Sequence, residues 1–94
     1  MLDLAATPGQ ANARLSGVGR HQPVTVIGVE GEDALAERLR SAGLWEGVVV
    51  ELVGASIFGD PLLVELHGFR LALRKNEAHR VTVRSLDQGL ERSA

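Results

Sequence analysis

The sequence predicts a mainly β domain: a small barrel of about five short strands with one short α-helix. Three observations predict it. Short Val- and Leu-rich runs between Val24 and Val83 alternate with polar residues and are broken by Gly, Asp and Pro, the pattern of half-buried strands joined by turns. Only residues 34–42 carry helical spacing. At 94 residues the chain is one small domain, and closing so few strands into a barrel removes edges that would otherwise aggregate.

Residues 1–14 hold Pro8-Gly9, small side chains and little periodicity, and read as a flexible N-terminal extension. The domain proper spans 15–84, and 85–94 read as a flexible C-terminal tail. Val24 to Ile27 form the first strand, with Pro23 at an entry where no ladder N–H is needed. In the helix over 34–42, Leu35, Leu39 and Ala42 share one face. Acidic residues precede it and arginines close it, as the helix dipole favours. Gly43 suits the left-handed position after the helix, and Leu44 can pack back on Leu39 in a Schellman arrangement. Val48 to Val53 form the next strand, with Val48, Val50 and Leu52 on one face. A loop from Gly54 to Pro61 leads into Leu62 to Leu66, whose Leu62, Val64 and Leu66 share the buried side. His67-Gly68-Phe69-Arg70 reads as a hairpin turn into Leu71-Ala72-Leu73. Arg74 to His79 reads as a polar turn containing one turn of 3₁₀ helix, and Arg80 to Val83 close the series.

Composition excludes several functions. Ten basic against twelve acidic residues provide no overall positive charge for nucleic acid or anionic membrane. Without cysteine there is no disulfide, thiolate metal site or cysteine nucleophile. Three aromatic residues, Trp45, Phe58 and Phe69, are too few for a base-stacking platform. No secretory signal or membrane-spanning run is legible, so a soluble cytoplasmic domain is expected. Neither a P-loop nor a nucleophile elbow is present, which argues against an enzyme.

The order of motifs resembles the FeoA (ferrous iron transport protein A) family. The stretches that carry it are Arg38-Leu39-Arg40-Ser41-Ala42-Gly43-Leu44, Gly47, Gly59-Asp60-Pro61-Leu62, Gly68, and Leu71-Ala72-Leu73-Arg74-Lys75-Asn76-Glu77-Ala78. The resemblance covers about Leu15 to Val83. It departs at Ser56-Ile57-Phe58, where family members often carry Ala-Pro before Gly-Asp-Pro. It implies an SH3-like barrel, shared with the C-terminal domain of diphtheria-toxin-repressor-type regulators. It also implies a non-enzymatic accessory of ferrous iron uptake that docks on the cytosolic part of a FeoB-type transporter and meets the membrane only through that partner. A second reading is a metal-responsive sensor or interaction module like the repressor barrels.

Five residues are candidates for partner contact. Ile57 and Phe58 are apolar on a predicted loop, where such residues mark contact sites. Asp60 and Pro61 read first as turn-formers, with Asp60 a weaker contact candidate. Arg74 reads as a local pair with Glu77 three residues on, or as a guanidinium fork for a partner. Trp45 is either a cap over the barrel end or an exposed anchor. His21, His67 and His79 are dispersed, and Glu30, Glu32 and Asp33 flank a helix N-terminus, so no metal residues are named. The expectation is no resident cofactor, with at most weak binding of a divalent metal such as Fe2+. The basic bias of residues 70–84 is weighed against nucleic acid for want of a recognition helix. An open sheet edge would permit a weak homo-oligomer.

Overall fold

Alternate residues of the apolar runs converge on one aliphatic core, which is why the runs fold as strands. Val24, Val26, Val50, Leu52, Leu62, Val64, Leu66, Leu73, Val81 and Val83 are all buried in a single cluster. The computed structural model describes residues 12–86. Its strands are β1 (Ala13–Arg14), β2 (Val24–Val29), β3 (Val49–Ala55), β4 (Leu62–Leu66), β5 (Phe69–Leu73) and β6 (Val81–Ser85). They form one antiparallel sheet in the order β1-β6-β2-β3-β4-β5, bent around the core as a small SH3-like barrel. A 3₁₀ turn at Leu15–Gly17 drives the fully buried Leu15 into that core.

Among the described residues the strands number six, because β6 recruits Ala13 and Arg14 opposite Val83 and Thr82. Those two residues, assigned by sequence to the extension, belong to the sheet, and so does Ser85. The remainder of the extension, residues 1–11, and the tail from 87 lie outside the described residues. β2 runs two residues further than predicted, through a bulge between Val26 and Gly28, an irregularity that breaks simple alternation. β5 starts at Phe69 because the hairpin turn is only His67-Gly68, both at positive φ, as a two-residue type I′ turn requires.

Helix α1 (Ala34–Ser41) has Asp33 as its N-cap, accepting from the Ala36 N–H. It ends in the predicted Schellman arrangement. Leu44 N–H donates to the Leu39 carbonyl and Gly43 N–H to that of Arg40. Gly43 stands at φ +109°, and a Cβ there would meet the His67 ring at 3.2 Å, so glycine is required twice over. The polar turn after β5 is a short α-helix, α2 (Lys75–Ala78), rather than 3₁₀. Glu77 allows it by accepting from the Arg74 N–H at 2.8 Å, and Ala78 is fully buried beneath it.

Arg80, at the entrance to β6, forks onto both carboxylate oxygens of Asp33 at 2.8 and 2.9 Å. This guanidinium, aided by the Ala36 N–H, holds the Asp33 carboxyl well below the usual carboxylate range. A group depressed on folding contributes its stability above its unfolded pKa, about 3.9, and loses it as pH falls. Asp33→Asn should therefore lower the thermal midpoint at pH 7, with the gap from the native chain closing below about pH 4. Thermal melts across pH 2–7 check this; a pH-independent gap would refute it.

Candidate functional site

The β3–β4 connection is the most unusual surface of the domain. The two strands pair out to Ala55 and Leu62, leaving Ser56 to Pro61 as the loop. Ser56 N–H donates to the Pro61 carbonyl at 3.0 Å, and Gly59 N–H closes a turn on the Ser56 carbonyl at 2.8 Å. The Ser56 hydroxyl donates to the Asp60 carbonyl at 2.6 Å and accepts from the Asp60 N–H at 3.1 Å. The Asp60–Pro61 peptide is cis. Asp60 Oδ1 accepts from the Lys75 N–H at 3.0 Å, tying the loop to the first turn of α2. The loop's polar groups are thus turned toward its own base.

Ile57 and Phe58 occupy the two central positions of that turn, where Gly, Asn, Pro or Asp are usual. They are 89% and 88% exposed, so the fold gains nothing from their hydrophobicity. They form an adjacent pair of exposed apolar side chains on a braced loop. Lys75 flanks them, its ammonium 3.6 Å from where a Cβ on Gly59 would stand.

The other candidates fall differently. Glu77 does not pair with the Arg74 side chain; its second oxygen meets Arg38 of α1, and Arg74 contributes its backbone N–H to the turn. Trp45 does not seal the barrel end. It is 56% exposed and lies along the end of α1, its Nε1–H donating to the Arg40 carbonyl at 2.6 Å. Its ring lies 5.8 Å from that of His67, which stacks at 6.2 Å on Phe69. Sequence reasoning missed His67 and Phe69 as members of this exposed aromatic row. Trp45 is far from them along the chain, and only the tight β4–β5 turn brings them together.

Two of the three acidic residues before α1, Glu30 and Asp33, are committed to arginines. Arg14 lies 2.8 Å from Glu30 and holds its carboxyl below the usual range, while Asp33 belongs to Arg80. Among the described residues no three of His, Cys, Asp or Glu come together to hold a metal ion. An open groove of about 710 Å³ is lined by Ser16, Leu35, Lys75, Asn76, His79 and Arg80. Its Ser16 hydroxyl and His79 Nδ1 are 3.5 Å apart, at the outer limit of a hydrogen bond. No helix among the described residues is long and apolar enough to cross a membrane.

Comparison with known proteins agrees with this geometry. The FeoA domain model matches residues 13–85. The crystal structure of Stenotrophomonas maltophilia FeoA complexed with zinc, described as a prokaryotic SH3 domain protein possibly acting as a ferrous iron transport activating factor, is 39% identical. The match covers 76% of this chain and 88% of that one, with a TM-score of 0.68. The FeoA-like protein of Clostridium acetobutylicum is 31% identical over 80% of this chain and 87% of that one, TM-score 0.75. The T. acidophilum IdeR structure shares the fold at 16% identity, covering 80% of this chain and 34% of that one, TM-score 0.70. No curated protein matches the chain in sequence.

Because Ile57 and Phe58 contribute nothing to packing, replacing both by alanine should change the unfolding free energy by less than about 0.5 kcal/mol. Asp60→Ala should instead release the Lys75 amide. Its hydrogen exchange should accelerate while that of the β6 amides stays constant, and an unchanged Lys75 rate would show that the loop is not held there.

Proposed function

Because this chain belongs to the FeoA family, and is thereby a small protein associated with ferrous iron transport, we propose that it is a non-enzymatic cytoplasmic accessory that docks on the cytosolic part of a FeoB-type transporter. The observation that carries the reading is the pair Ile57 and Phe58, almost fully exposed at the tip of a loop braced by Ser56 and Asp60. Such a loop loses little conformational freedom when it binds, so most of the apolar burial is retained as affinity. Lys75 beside it, with Arg74 at the start of α2, favours an acidic rim on the partner around an apolar pocket. Each side chain of this size contributes ~1.5–3 kcal/mol when fully buried, enough for the pair to dominate a small interface.

Metal binding is a weaker basis for function in this chain, since Glu30 and Asp33, two of the acidic residues before α1, are engaged by Arg14 and Arg80. Contact with the transporter should therefore survive removal of metal. The test is capture of the transporter from gently solubilised native membranes by the tagged chain, with and without a chelator. Equal recovery in both samples is expected, with at least a tenfold loss for the folded Ile57→Ala/Phe58→Ala double variant. Transporter missing from both samples, or captured equally by the double variant, would overturn the docking reading.

A further inference from the structure

β5 is an edge of the sheet, and among the described residues only β4 pairs with it. In a hairpin closed by two residues the flanking pair, here Leu66 and Phe69, exchanges both backbone bonds, and the bonding alternates from there. Phe69, Leu71 and Leu73 therefore direct their N–H and C=O groups at β4. Arg70 and Ala72 direct theirs at the open side, where no hydrogen bond meets them among the described residues. On the core side of this edge Phe69 is 46% exposed and Leu71 only half-buried.

We propose that the chain dimerises through β5, two copies pairing antiparallel about a two-fold axis on Leu71. The strand's own residues select that register. With the axis on Leu71, Arg70 faces the partner's Ala72, and all the outward N–H and C=O groups of both residues find partners across the axis. Leu71 meets the partner's Leu71, and Phe69 the partner's Leu73, so the core-side stripe becomes continuous. Moving the axis to Arg70 sets it against the partner's Arg70, and moving it to Ala72 sets Arg70 against the partner's Arg74. Like charges directly opposite are destabilising in either register. On its own sheet Arg70 faces Glu65, which offsets its charge at the seam. The inference depends on the sheet edge and not on the Ile57–Phe58 loop, so each can fail without the other.

The test is sedimentation equilibrium of the full chain over a wide concentration range, alongside two variants. A reversible monomer–dimer equilibrium is expected. Ala72→Lys alters an exposed side chain and leaves the backbone bonds intact. It places a lysine opposite each arginine and should weaken the dimer about tenfold, with an unchanged circular dichroism spectrum. The chain has no cysteine, so Leu71→Cys gives a single thiol on the axis, which mild oxidation should cross-link at least tenfold faster than Ile57→Cys, by the proximity of a cross-strand pair. A chain that stays monomeric up to millimolar concentration would overturn the proposal. So would a dimer indifferent to Ala72→Lys, or one in which Leu71→Cys cross-links no faster than Ile57→Cys.

Discussion

Everything in this domain depends on β6 returning to lie between β1 and β2. Its Val81 and Val83 are fully buried, and it is the only strand that joins the start of the described chain to its end. β1 is two residues long and has no standing without it. The entropy of closing a loop from residue 13 to residue 83 must be met before any of these contacts form. What offsets it is the aliphatic core, assembled from every strand but β1.

The connection from β5 to β6 directs that return. Glu77 starts α2 through the Arg74 amide and ties it to α1 through Arg38. Arg80 then reaches back to Asp33 and to the Glu30 carbonyl, fixing the entrance of β6 against the start of the helix. The same short helix receives the Asp60 carboxylate from the β3–β4 loop. The proposed docking loop is thus braced by the segment that steers the last strand, which couples the presentation of Ile57 and Phe58 to completion of the fold.

Strands with clean alternation were legible in the sequence, and so were the helix with both its ends. Leu62, Val64 and Leu66 could face only one way, and Gly43 marked the helix stop. β1 was not legible, because two residues carry no period and their partner lies 70 positions away. The bonds of Glu77 to Arg38 and Asp33 to Arg80 span 39 and 47 residues, beyond any local spacing rule, and Glu77 meets the nearer Arg74 through its backbone N–H and not its guanidinium. At the candidate site, sequence could place Ile57 and Phe58 on a loop but could not say whether they pointed in or out. That depended on Ser56 and Asp60 turning the loop's polar groups toward its base.

An aliphatic core has a spectroscopic consequence. The chain holds one tryptophan and no tyrosine, and that indole sits outside the core, over the end of α1 and beside His67. Its near-ultraviolet emission reports a single junction between the helix and the β4–β5 turn. Rearrangements among the buried valines and leucines pass without an optical signature of their own, while fraying of the last helical turn is seen at once.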